Sequence, residues 1–292
     1  MTQPPPNTKL SRKTKLFYGI GDLGNAVVNS AIQFFLMKFY TDGALVSPAL
    51  AGNALLIGKI WDAVNDPLFG WFTDRTKSRH GKRRVFMLFG AIPLAIAIAL
   101  LWFVPTADRL WTFVWIAATF VLFDTIWTLT NVPYYALTSE LTDDYDERSS
   151  LTTYRMAMAV PAYLVGAALT PAIVGLFALQ RTGWAFIGIA YGVLAAVALL
   201  IAAAGLRERQ GVAVSKPEAS PFKSLLVALK NRPFVWLCGT YFVVNISFAF
   251  IKILMAYYIE YQLLMKAETT LVMGLMLICV TISLPFWQWL SR

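Results

Sequence analysis

Runs of about 20 apolar residues, the length that crosses a hydrocarbon core, recur near 16–41, 49–73, 85–105, 111–139, 152–178, 184–206, 233–263 and 269–290. Inside a bilayer the backbone must satisfy its own N–H and C=O groups, so runs of this length fold as helices. The spacing predicts an all-α polytopic membrane protein of about eight spans. A composition that is 58% hydrophobic agrees, since ordinary globular chains stay near half.

The net charge of +9 would suggest nucleic acid in a soluble chain, but its distribution points elsewhere. Lys9, Arg12, Lys13 and Lys15 precede the first span, and Arg75, Lys77, Arg79, Lys82, Arg83 and Arg84 follow the second. Arg207, Arg209, Lys216, Lys223, Lys230 and Arg232 separate the sixth from the seventh. The alternate connections hold little beyond Arg109, Arg181 and Lys266. The positive-inside rule then puts the N-terminus in the cytoplasm of a multi-pass cell-membrane protein. The basic loops also suit anionic lipid headgroups as partners, and nucleic acid is not expected. The Pro-rich start "MTQPPPNTKLSRKTK" lacks a small-residue cleavage site and reads as a retained cytoplasmic tail, residues 1–15. Cys238 and Cys279 fall within spans and suggest neither a disulfide framework nor a metal cluster.

The longest polar interruption, 206–233, contains Pro217, Pro221 and Pro233. It divides a six-helix bundle, 16–206, from two further spans in 233–292, with 207–232 as a cytoplasmic central loop. "DPLFGWFTDR", ending the second span, faintly echoes "SLPFWQWLSR", ending the eighth, as an internal repeat would. A second unit built like the first would need about four more spans. The chain therefore reads as truncated, or as a fragment expected to insert without transporting alone.

One polar pair stands out. Asp62 and Asp66 in "WDAVNDPLFG" lie four residues apart on one helix face, with Lys59 and Asn65 close by. A charge at the bilayer centre costs about 2.5–3.5 kcal/mol on insertion scales, and such groups face a bundle interior or an aqueous path. Two carboxylates and one Lys leave a deficit of one positive charge, which Na⁺ or H⁺ would fill. The plain alternative is a buried Lys59–Asp62 ion pair beside a protonated Asp66.

"YGIGDLGN", "KIWDAVNDPLFGWFTDRTKSRHGKRR", "NVPYYAL" and "TYRMA" resemble the glycoside/pentoside/hexuronide:cation symporters, the melibiose permease group of the major facilitator superfamily. The resemblance implies a fold of twelve helices in two halves, rocking around a central site as a monomer. It implies a cation site at Asp62, Asn65, Asp66 and Thr128, with Na⁺ favoured over H⁺ because Asn65 and Thr128 add neutral oxygens. No organic cofactor is implied.

For the substrate, the family's two galactoside-binding acids fall on Ala26 and Asn131, which disfavours a galactoside. Asp22, one turn before Ala26, supplies a carboxylate in its stead, with Asn25, Asn131 and Tyr135 beside it. Arg155 either pairs with Asp62 or Asp66 at an inner gate or holds an anionic substrate. Lys252, midway along the seventh span, is a second cation in the membrane, which either binds substrate or snorkels to an interface. A sugar, glycoside or sugar acid is the expected substrate. Trp127, Tyr134 and Tyr135 suit either stacking on a sugar ring or packing.

"VPYYALTSELTDDYDERSSLTTYRMA" is also similar to the lysophospholipid:sodium symporters, which carry an acid where Asp124 stands. An amphiphilic substrate is thus the alternative, and Asp124 otherwise reads as a packing or gating carboxylate with Lys59. In the loop "GWFTDRTKSRHGKRR" the resemblance implies charge contacts at Asp74 and Arg75 that latch one state. His80, the only histidine, lies in that loop, a poor place for catalysis. Neither HExxH nor a Ser/His arrangement is present, so a non-enzyme is expected. A channel would need a continuous polar stripe, whereas the charges cluster on the second, fourth and fifth spans.

Overall fold

The computed structural model describes residues 9–76, 78–79, 81–105, 108–206, 208, 229–265 and 268–290, with backbone alone at 277, 280–281 and 284–289. The proposed roles of Lys77, His80, Arg207 and Lys266, and the Pro-rich stretch 209–228, lie outside these residues. So does Arg292, which closes the echo between the second and eighth spans.

Eight long helices account for the eight apolar runs among the described residues. Helix α1, Arg12–Ala31, continues through π-helical turns at Ile32–Leu36 and Phe39–Gly43. Then follow α2 (Pro48–Arg75), α3 (Arg84–Leu101), α4 (Arg109–Leu141), α5 (Tyr145–Gly175) and α6 (Gln180–Gly205). Helix α7, Arg232–Tyr257, runs into a π-helical turn at Tyr258–Gln262, and α8 is Thr269–Leu290. The described residues contain no strand.

Local chemistry explains the boundaries. Ser11 Oγ accepts the Thr14 amide at 3.1 Å, Asp108 accepts that of Trp111 at 2.9 Å and Asp144 that of Glu147 at 3.0 Å, so α1, α4 and α5 begin at side-chain caps. Pro67, Pro93, Pro133, Pro161 and Pro171 lie inside helices, as neighbouring helices in a membrane bundle allow.

Five helices, α3 to α6 and α7 with its π-helical turn, are long and apolar enough to cross a membrane by composition alone. Helices α1 and α2 are more polar, and their polar residues build the site. Helix α1 packs on α5 and α6, α3 joins α6 to α4, and α2 lies along α4. The interior is aromatic at one end, where Trp102 stacks on Trp184 at 5.2 Å and Phe39 packs against both. Gly166 on α5 lies so near α1 that an added Cβ would meet Ser30 Oγ at 2.1 Å, the small-residue approach expected between membrane helices.

Candidate functional site

Helix α4 organises two polar clusters because its residues advance about 100° each. Asp124 and Thr128, four apart, face α2, while Trp127, Asn131 and Tyr135 form a stripe toward α1 and α5.

The first cluster lies between α2 and α4. Thr128 donates its hydroxyl to Asp66 Oδ1 at 2.8 Å. Asn65 is fully buried and donates its amide to the Asp124 backbone carbonyl at 3.2 Å and to Asp124 Oδ2 at 3.3 Å. Asp124 is buried between the two helices. Trp61 pins the helix pair by donating to Thr125 at 2.8 Å. Two bonded pairs, Thr128 with Asp66 and Asn65 with Asp124, thus lie between the same two helices, while among the described residues no three acidic, His or Cys side chains are grouped closely enough to hold a metal ion by themselves. Asn65 Oδ1 is buried and accepts no hydrogen bond among the described residues, and an oxygen left so is available to a cation or a donor.

Lys59 Nζ lies 3.2 Å from Asp62 Oδ2, with side chains 61% and 34% exposed. The alternative of a buried Lys59–Asp62 pair is therefore corrected: the pair exists, but at the accessible edge of α2. There it offsets little of the cost of Asp62.

The second cluster surrounds a cavity of about 330 Å³ between α1, α4 and α5, lined in part by Asp22, Asn25, Trp127, Tyr135 and Tyr163. Asp22 is buried, accepts the Tyr135 hydroxyl at 3.2 Å, and lies 3.5 Å from Arg155 Nε. The Arg155 guanidinium also sits 5.1 Å over the Tyr135 ring. Its pairing with Asp62 or Asp66 is thus corrected, because α5 meets α1 and turns Arg155 toward Asp22. Asn25 donates to Asn131, which in turn donates to the Trp127 carbonyl at 3.1 Å. Tyr134 stacks on Tyr18 at 5.0 Å and is fully buried, so it is packing. Lys252 does not snorkel: its Nζ donates to Gln33 Oε1 at 2.6 Å, and Tyr163 donates to the same oxygen at 3.2 Å.

A third cluster ties the loop after α2. Arg83 pairs with Asp74 at 2.7 Å and with Glu140 at 2.9 Å. Glu208 accepts the amides of Lys82, Arg83 and Arg84 at 2.6–2.8 Å. Arg75 takes no part: its guanidinium lies 4.0 Å over the Trp71 ring on its own helix. Of the two residues expected to make charge contacts here, Asp74 makes one, with Arg83, while the expectation for Arg75 is corrected, because its guanidinium lies against Trp71 of its own helix.

Sequence reading missed Gln33, Tyr163, Arg83, Glu140 and Glu208. A lone amide within the apolar run "SAIQFFL" was the available signal for Gln33. Cys238 and Cys279 are both exposed, as lipid-facing positions would be.

Residues 17–292 match the family model described as MFS/sugar transport protein. The chain belongs to this family. It is accordingly a multi-pass membrane protein of transporter lineage. A Synechocystis sp. protein named only as an uncharacterized symporter is 39% identical over 72% of this chain and 40% of its own length. An Escherichia coli K12 protein named as a glycoside/cation symporter, YagG, is 31% identical over 80% of this chain and 51% of its own. The sodium-dependent lysophosphatidylcholine symporter 1-A of Danio rerio is 28% identical over 94% of this chain and 58% of its own. The chain spans about half the length of the curated relatives it matches.

Proposed function

We propose that this protein acts in secondary active transport, coupling Na⁺ or H⁺ to the movement of a sugar, glycoside or sugar acid by alternating access. The observation that carries the reading is the division of labour on α4. Thr128 bonds the Asp66 carboxylate while its chain neighbour Trp127 lines the polar cavity. A cation at Asp62, Asn65, Asp66 and Thr128 would then be felt in the cavity through one rigid helix, the contact that coupling needs. Na⁺ would complete the oxygens of Asn65 and Thr128, which a proton does not require.

The cavity suits a small polar ligand. Its volume of about 330 Å³ lies at the low end of ligand pockets. Asp22 and Asn25 offer hydroxyl-recognising groups, with Trp127 and Tyr135 as ring-stacking faces and Arg155 as the partner of an acid group. The name of the YagG relative agrees with a glycoside. Residues 1–15 serve as a cytoplasmic tail, 16–206 as a six-helix unit and 233–292 as part of a second unit, on the strength of the basic loops.

A second reading takes a lysophospholipid as substrate. The buried acid Asp124 and the long similarity to a sodium-dependent lysophosphatidylcholine symporter favour it. Equilibrium binding to the purified protein separates the two. A panel of glycosides, uronates and lysophosphatidylcholine is titrated with and without Na⁺ and across pH. Tighter sugar or uronate binding in Na⁺ supports the main reading; cation-dependent binding of lysophosphatidylcholine alone promotes the second. No cation dependence for any member of the panel overturns both.

A further inference from the structure

The end of the bundle remote from the N-terminal tail holds a further cavity. Its volume is about 660 Å³, and it lies where the α1–α2, α3–α4 and α5–α6 connections meet. It shares no lining residue with the cavity around Asp22. Thr112, on its wall, precedes Thr128 on α4 by about 24 Å at 1.5 Å per residue. Its lining comes from the first six helices and their connections, so it owes nothing to α7 or α8.

The charged side chains that line it are cations. Arg109 and Arg181 both face it, and neither forms an ion pair among the described residues. Basic residues are scarce in the connections at this end, yet two from different connections converge here. The nearest acid in sequence, Asp108, caps α4 through the Trp111 amide and does not line the cavity.

Each arginine also sits where a helix resists a cation. Arg109 opens α4 and Arg181 is the second residue of α6, and a helix N-terminus carries partial positive charge. Helix α2 begins here too, at Ser47, whose side chain makes no capping bond, and α6 follows Leu179, which has no polar group to make one. No acidic residue occupies the first turn of these three helices. An anion in the cavity would offset all of this unbalanced charge at once.

Two side chains are ready for one. Thr112 is only 9% exposed and lines the cavity, and its hydroxyl has no partner among the described residues. Arg181 donates to the Val104 carbonyl, which positions its guanidinium before anything binds. A more apolar pocket of about 390 Å³ adjoins the cavity between α2 and α4, sharing Leu50 and Arg109 and reaching Phe113. Trp111 is exposed beside it, and exposed tryptophans mark the membrane–water boundary.

From this arrangement we infer a binding site for a phosphate-type oxyanion, held by Arg109, Arg181 and the hydroxyls of Thr112 and Ser47. The adjoining apolar pocket selects its source: the phosphodiester of an anionic phospholipid, whose acyl chain leaves past Leu50 and Phe113 along α2 and α4. Guanidinium groups match phosphate oxygens with paired N–H donors. Two uncompensated cations favour a headgroup of net negative charge over a zwitterionic one. The lipid would tie three connections together, whatever the transported substrate is.

The test uses the purified full chain in neutral detergent. Phosphatidylglycerol, phosphatidylcholine, the deacylated headgroup glycerophosphoglycerol and inorganic phosphate are each titrated, with binding read by native mass spectrometry and by the thermal unfolding midpoint. Phosphatidylglycerol should bind about tenfold more tightly than phosphatidylcholine, and Arg109→Gln with Arg181→Gln should weaken it about tenfold or more. Arg109→Gln alone, whose side chain bonds nothing among the described residues, should weaken it several-fold without disturbing the Arg181–Val104 contact. Thr112→Val should cost about fivefold, the worth of one hydrogen bond. Equal phosphatidylglycerol affinity in the wild type and the double variant overturns the site. An equal loss in Arg12→Gln with Lys13→Gln, at the opposite end, also overturns it, because net charge alone would then be the cause. Headgroup or phosphate binding as tight as that of the intact lipid would support the oxyanion site and overturn the lipid as its source. No transport is measured, so failure of the symport reading leaves each outcome interpretable.

Discussion

The Thr128 hydroxyl donates to the Asp66 carboxylate at 2.8 Å, fixing the exposed acid of α2 to the middle of α4. Asn65, one residue earlier, turns inward to Asp124 instead. Successive residues of α2 thus present a buried amide oxygen and an accessible carboxylate to the same facing helix. That arrangement suits an ion entering from the accessible side.

Thr128 tests it most cleanly. Thr128→Val keeps the shape and removes the hydroxyl, so Na⁺ affinity should fall about tenfold, the worth of one hydrogen bond or neutral ligand. Thr128→Ser should retain it. Trp61 and Trp127 flank the site, so tryptophan fluorescence during a Na⁺ titration reads the change. A response to pH alone, equal in both variants, would assign the site to H⁺.

Asp22 and Arg155 should be coupled in stability. Removing Arg155 as Arg155→Met leaves a buried carboxylate without its cation, and losing one partner of a buried pair costs about 3–5 kcal/mol at most. The 3.5 Å separation is long for a hydrogen bond, so about 2 kcal/mol is expected here. Asp22→Asn with Arg155→Met should recover most of that loss. Thermal melts of the four proteins close the cycle, and additive losses would mean that the two groups act independently.

The spans and the Asp62–Asp66 pair were legible in the sequence because a charged residue in an apolar run is conspicuous and four-residue spacing fixes a face, whereas Thr128 was named only through the family resemblance. Arg155 was conspicuous too, but its partner was not. Which helix faces which is set by close packing at small residues, and periodicity does not encode that. The same limit hid the Asp74–Arg83 contact, because nine residues with a turn between them have no fixed geometry. Gln33 and Lys252 meet where α7 packs on the π-helical continuation of α1, a contact between segments 219 residues apart that local pattern does not encode.

Gly81 governs the third cluster. Its φ of +102° is open to glycine and strained for other residues, and an added Cβ would meet Glu208 Oε1 at 2.7 Å. Gly81→Ala should therefore cost about 1–2 kcal/mol of strain and loosen the three amide contacts to Glu208. Hydrogen exchange at the Lys82, Arg83 and Arg84 amides should quicken, with little change at Thr128. Unchanged protection would mean that Glu208 follows the loop.

Gly166 separates the two halves of the site. A Cβ there would meet Ser30 Oγ at 2.1 Å and the Val27 carbonyl oxygen at 2.5 Å. The first contact is a side chain that can turn; the second is helix backbone. Gly166→Ala must then push α1 away from α5 and should cost about 1–3 kcal/mol, the range for overpacking. Asp22, Asn25 and Asn29 on α1 line the cavity opposite Met156, Ala159 and Tyr163 on α5, so the displacement widens it. The ion cluster is carried by α2 and α4 instead. The sugar or uronate selected by the binding panel should therefore bind Gly166→Ala several-fold more weakly, while the Na⁺ response of the tryptophans stays within about twofold. Adding Ser30→Ala should recover little, because the backbone contact remains. Equal loss of both responses would show that the clusters do not move separately and that the cavity is not set by the α1–α5 approach.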